Sequence, residues 1–121
     1  MPAQSALFQH VGVRVAEARV ASRANNFPVA WELLEDAHVL SQPLAFAHVR
    51  VHVAMLGVGV RTRDRREILG QMLRLIVAAP GSWSGKYPTG NTGRAEMPAT
   101  RPMPIRADLQ AILDPPVTTR P

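Results

Sequence analysis

Three of the chain's four histidines fall between Trp31 and His52, in the stretch W-E-L-L-E-D-A-H-V-L-S-Q-P-L-A-F-A-H-V-R-V-H. Glu35 and His38 have the spacing E-x-x-H, which on a helix sets a carboxylate and an imidazole one turn apart and facing the same way. His48 and His52 repeat this one-turn spacing with two imidazoles. Three neutral imidazoles and a carboxylate form a borderline donor set suited to zinc, iron, manganese or copper. Di-iron bundles need further carboxylates and a second E-x-x-H, and the sequence has neither. The spacing therefore points to a single metal ion held by Glu35, His38, His48 and His52, with Gln42 and Asp36 as outer partners that orient an imidazole.

Two uses follow from such a site. A closed set of ligands makes a structural, storage or sensing site. An open position lets bound water act as a nucleophile with Glu35 as general base, the chemistry of a small metal-dependent hydrolase or oxygenase. A metal-free alternative stands beside them: the histidines are packed in a buried polar network. The protein would then be a helical adaptor that offers a groove to a peptide or a sister subunit. The chain has no cysteine, so thiolate ligands and disulfides are excluded.

Two further groups of residues carry charge or turn chemistry. In S-G-K-Y-P-T-G-N-T-G-R, backbone N–H groups around Gly90, Asn91 and Gly93, with Lys86 and Arg94, could face an anion. The same string reads more simply as a pair of tight turns that use glycine and asparagine for positive φ. Arg61, Arg63, Arg65 and Arg66 are half neutralised by Asp64 and Glu67, as in a solvated linker.

Helices must position these residues. The spacing predicts a first helix over 7–25, with Phe8, Val11, Val15, Ala18 and Ser22 on one stripe. A second helix over 28–41 opens on Pro28. It carries Ala30, Leu33, Ala37 and Leu40 on one side and Trp31, Glu35, His38 and Gln42 on the other. Pro43 separates a third helix over 44–58, whose histidines share a face with Leu44, Val51 and Met55. Asp64 and Glu67 have capping-box spacing and begin a fourth helix over 65–79, with Ile68, Met72, Leu75, Ile76 and Ala79 as its apolar stripe and Pro80-Gly81 as its stop. Residues 80–106 carry no helical period, and residues 80–121 hold eight of the eleven prolines. They are expected to wrap the helices in extended form, pinned by Trp83, Tyr87, Met97 and Ile105. A short helix over 107–113 and a frayed tail over 114–121 complete the chain. The fold expected is all-α: one domain over 1–113 with an antiparallel four-helix body and a tetratricopeptide-like first hairpin (A-x-x-x-L-E-x-A in its second helix).

Composition limits the function classes. The chain has 121 residues, a net charge of +5, 46% hydrophobic and 19% charged residues, which is the balance of a globular domain. Its arginines are scattered rather than gathered on one stripe, which argues against nucleic-acid binding. The N-terminus lacks the pattern of a signal peptide, and no apolar run is long enough to cross a bilayer. A cytoplasmic protein with no membrane partner is expected, and the aliphatic fourth helix leaves room for a homodimer face.

The strings L-E-x-A-H, S-Q-P, A-x-x-H-V-R-V-H-x-x-M-L, R-D-R-R-E-I-L-G-Q-M-L-R-L, A-P-G-S and G-N-T-G-R together resemble a family of small helical bacterial proteins of unknown function, over roughly residues 14–113. The resemblance implies a soluble, single-domain bacterial protein with a repeat-like helical start. It implies no role for any residue.

Overall fold

The computed structural model describes residues 2–98 and 100–115. They form five α-helices: α1 (Pro2–Arg23), α2 (Phe27–Ser41), α3 (Ala45–Thr62), α4 (Arg65–Ser84) and α5 (Ala107–Leu113). The described residues contain no strand, so the chain is all-α. The tail expected to fray lies mostly outside them.

Local chemistry explains the breaks. Asn25 takes φ 57° just past α1, and the Asn26 amide reaches back to the Ala21 carbonyl at 2.8 Å. This is the left-handed closure that asparagine tolerates. Pro28 sits in the first turn of α2, where its missing N–H is no loss. Arg63 closes α3 in the same left-handed way, at φ 54°. Asp64 then caps α4 by accepting from the Glu67 amide at 3.2 Å. The return half of the expected capping box is not made, because the Glu67 carboxylate turns inward to Gln71 and Arg94.

α1 packs on α2, α2 on α3, and α3 on α4, with α5 against α2. One aliphatic cluster joins Val11, Val15 and Ala18 of α1 to Leu34, Ala37 and Leu40 of α2 and to Val51, Met55 and Val58 of α3. Phe8, expected on the buried stripe of α1, is exposed.

α4 corrects two expectations. It runs through Pro80 and Gly81 to Ser84 and ends at Gly85, which adopts φ 70°. Its buried stripe is also not the aliphatic one. Glu67, Gln71, Arg74, Ala78 and Ser82 are buried, while Leu69, Met72, Leu73, Ile76 and Val77 are exposed, Ile76 at 73%. The buried set recurs every three or four residues, so it forms one helical face. Burying polar groups costs stability unless each is hydrogen-bonded, and the partners of this face lie in α3 and in the segment that follows α4.

That segment, residues 85–106, is fixed by its polar contacts. The Gln42 side chain donates to the Pro88 carbonyl at 2.8 Å and accepts from the Gly90 amide at 3.0 Å. The Asn91 side chain donates to the carbonyls of Pro98 and Arg101, at 3.0 and 2.7 Å. Ile105 packs on the aliphatic cluster. Trp83 does not pin the segment as expected: it lies in α4, exposed, with its ring perpendicular to that of Phe46 at 6.3 Å between centroids. Among the described residues no helix is long and apolar enough to cross a membrane.

Candidate metal centre

α2 supplies His38, and successive turns of α3 supply His48 and His52. All three are buried, and among the described residues they form a group that could hold a metal ion. Their Nε2 atoms make a near-equilateral triangle. The sides are 3.1 Å from His38 to His52, 3.1 Å from His38 to His48 and 3.2 Å from His48 to His52.

The outer nitrogens decide where the protons are. His38 Nδ1 is 2.6 Å from the Asn91 carbonyl, which can only accept, so Nδ1 carries the hydrogen. His52 Nδ1 is 2.7 Å from Gln71 Oε1. The Gln71 amide nitrogen donates to the Glu67 carboxylate at 3.0 Å and to the Gly93 carbonyl at 2.8 Å. Both of those are acceptors, so the amide orientation is fixed and Oε1 must accept from His52. His48 Nδ1 is 2.7 Å from Ser82 Oγ. That hydroxyl spends its own hydrogen on the Gln42 carbonyl at 2.7 Å and must accept from His48. Each imidazole therefore donates outward from Nδ1. A neutral imidazole has one N–H, so three unprotonated Nε2 lone pairs face one another.

Protonation does not relieve this convergence near neutral pH. Burial pushes His48 down to about 4 and His52 to about 3. His38 is also held well below the usual histidine range, first by burial and then by its two neighbouring histidines. Neutral imidazoles are the metal-binding form.

The glycine-rich loop completes the centre. Gly93 adopts φ 81°, and a Cβ there would lie 2.6 Å from the His38 ring. Gly90 adopts φ 80°, and its Cβ would overlap the Met103 carbonyl. Glycine is required at both positions for the backbone to pass this close.

The residues expected to act with the histidines are placed as follows. Glu35 is not brought to the Nε2 triangle. Its carboxylate is 3.4 Å from Arg94, and burial raises its pKa. Asp36 pairs with Arg106 at 2.9 Å. Gln42 reaches an imidazole only indirectly: its backbone carbonyl orients Ser82, and its side chain holds the loop. The amides expected to meet an anion already have partners within the fold. Gly90 donates to Gln42, Asn91 to the Pro88 carbonyl, and Gly93 to the Asn91 side chain at 2.9 Å. Arg94 contacts Glu67 and Glu35 and lies 3.7 Å over the Trp31 ring. Lys86 is exposed.

Gln71, Ser82, Glu67 and the Asn91 carbonyl orient the imidazoles; the sequence assigns Glu67 only a capping role and Asn91 only a place in the anion loop, and assigns Gln71 and Ser82 none. Their signal was the polar series Glu67, Gln71, Arg74, Ser82 at helical spacing, which the neighbouring aliphatic stripe of α4 outweighed.

A pocket of about 650 Å³ opens onto all three histidines. Its walls include Leu73, Ile76, Val77, Pro80 and Tyr87, with Arg74 among the polar residues that line it.

Residues 5–113 match a family model described as "Protein of unknown function (DUF3703)". No curated protein and no solved structure matches the chain.

Proposed function

We propose a function from the premise that the chain belongs to this family of proteins of unknown function, whose description assigns no activity: the protein binds one transition metal ion through Nε2 of His38, His48 and His52. One observation carries the reading. Three lone pairs converge at 3.1–3.2 Å while every Nδ1 hydrogen is already engaged. A buried arrangement of this kind is repulsive without a cation at its focus. With metal–nitrogen bonds of about 2.0–2.1 Å, this spacing corresponds to N–metal–N angles of roughly 100°. That lies between the values for octahedral and tetrahedral ions, and it leaves the side of the ion away from the imidazoles free for other ligands.

A donor set of three imidazoles without a carboxylate favours zinc, copper or iron over manganese, which prefers oxygen. Glu35 stands outside the ligand set in this reading and acts through Arg94 and Glu67 on Gln71. The metal-free adaptor is the weaker reading, because a hydrogen-bonded trio would need a proton between Nε2 atoms and none is available there. A tetratricopeptide-like first hairpin and a cytoplasmic location fit this picture of a small metal-binding protein, and both remain part of the proposal.

The test is elemental analysis of protein purified without an affinity tag, with His48→Ala and His52→Ala beside it. About one metal ion per chain, lost in both variants, is expected. Absence of metal, together with failure to bind zinc, iron or copper at micromolar concentration, would overturn the reading.

A further inference from the structure

Arg74 is buried, yet among the described residues no carboxylate pairs with it. Its guanidinium donates to the Gly70 carbonyl at 3.2 Å and to the Met97 carbonyl at 2.7 Å. A guanidinium has five N–H donors, so these two bonds do not exhaust it. Arg74 lines the same pocket that opens onto all three histidines, so a cation stands beside the candidate metal centre. A divalent ion at the histidines would add more positive charge. Glu67, the nearby carboxylate, is already paired with Arg94. The inner end of the pocket therefore calls for an anion. Its outer walls are of the opposite character, with Leu73, Ile76, Val77 and Pro80 of α4 turning aliphatic surface toward anything that enters.

We propose that the pocket binds an organic carboxylate with an aliphatic body, its carboxylate held between the histidine-bound metal ion and Arg74 and its chain laid along Leu73, Ile76 and Val77. This rests on the metal reading above. An inorganic anion would satisfy the charge but would leave the aliphatic wall unused. A neutral alcohol would use the wall but not the charge. At about 650 Å³ the pocket is within the range of small-molecule sites.

The test uses the whole chain loaded with one equivalent of cobalt(II), whose visible absorption reports its coordination. Appearance of the cobalt bands on loading, and their loss in His52→Ala, checks the metal site alone; if they never appear, both readings fall. Acetate, butanoate, hexanoate, octanoate, octanol, phosphate and bicarbonate are then titrated. The carboxylates should perturb the bands, with affinity rising roughly threefold to fourfold per methylene buried, and octanol should not perturb them. Arg74→Gln should weaken octanoate at least tenfold. Arg74 also holds the Met97 carbonyl, so Val77→Glu, on the exposed wall, is the second variant. It should weaken octanoate at least tenfold while leaving the cobalt spectrum of the ligand-free protein unchanged. Cobalt bands that no carboxylate perturbs would overturn the proposal. So would phosphate or bicarbonate binding as tightly as octanoate with no dependence on chain length, or octanoate binding that Val77→Glu leaves intact.

Discussion

Where α1 meets α2, the buried side chains are mostly aliphatic: Val11, Val15 and Ala18 on one helix, Leu34 and Ala37 on the other. Where α3 meets α4 and the 85–106 segment, the interior is mostly polar, with His48, His52, Gln71, Ser82 and Asn91 buried beside His38. In the first layer any well-fitting hydrocarbon holds the helices together. In the second, each group is oriented by another: His52 by Gln71, Gln71 by Glu67 and Gly93, His48 by Ser82, and Ser82 by Gln42. Apart from the three Nε2 atoms that face one another, none of the buried side-chain polar atoms described lacks a hydrogen-bond partner. A small chain can afford such a layer only if it is complete, since a half-satisfied network is worse than an apolar core. The aliphatic layer supplies stability, and the polar layer fixes geometry.

The largest test of this division removes a side chain from each layer. His52→Ala deletes one of three donors, and metal affinity should fall by at least about a thousandfold, as expected when a metal–ligand bond is lost from an already minimal set. Leu34→Ala, at a fully buried site, should lower unfolding free energy by about 2–5 kcal/mol. The metal stoichiometry of folded Leu34→Ala protein should stay the same. Competition with a chromophoric chelator and urea unfolding read the two effects separately. If Leu34→Ala abolished metal binding in the folded protein, the layers would not be separable.

A smaller effect should follow from a residue that touches no metal. Gln71→Met keeps the size of the side chain but strands the His52 N–H, one Glu67 acceptor and the Gly93 carbonyl. Removing an outer partner of a metal-bound histidine typically costs 10–100-fold in affinity, and that range is expected by the same chelator assay. An affinity equal to that of the unaltered chain would mean that the imidazoles are oriented by their packing alone.

The metal-free protein should record the polar layer in its response to acid. The unfolded histidines titrate near 6.5, and burial pushes the folded values of His48 and His52 to about 4 and about 3. Below 6.5 the unfolded chain binds more protons, so stability is full above that pH and is lost progressively as the pH falls toward 4 and then 3. Melting temperature measured against pH in the presence of chelator should decline across this window. His48→Gln should flatten the upper part of the decline. A flat profile from 7 to 4.5 would show the imidazoles to be open to water.

The all-α class and the three histidines were legible because the signals agreed: apolar spacing, Pro28 and Pro43 as punctuation, and His48 and His52 one turn apart. Glu35 was drawn toward the site because E-x-x-H sets it beside His38 on α2. Spacing within one helix does not reveal what the rest of the chain will bring opposite, and here Arg94, from a loop 59 residues later, meets the carboxylate. The G-N-T-G turn was legible as a turn, but its task was not. That a loop backbone would seat against the His38 ring and accept its N–H is a long-range contact with no periodic trace. α4 misled for a related reason. Hydrophobic periodicity marks a face to be covered but not what covers it, and here the competing polar face turned inward because it had histidines and a loop to satisfy it.

Ile76 gives the smallest expected effect and the sharpest contrast. It lies on an aliphatic stripe at helical spacing, as Leu34 does, but it is 73% exposed where Leu34 is fully buried. Ile76→Ser removes little surface from contact with the rest of the chain. Exposed sites of this kind usually change stability by no more than about 0.5 kcal/mol, against about 2–5 kcal/mol for Leu34→Ala. Urea midpoints of the two variants, measured at two protein concentrations tenfold apart, make the comparison. Equal midpoints for Ile76→Ser and the unaltered chain at both concentrations are expected. A loss near that of Leu34→Ala, growing with protein concentration, would mean that a second copy buries this stripe in solution. The aliphatic wall of the pocket would then belong to an interface between subunits as well as to a ligand site.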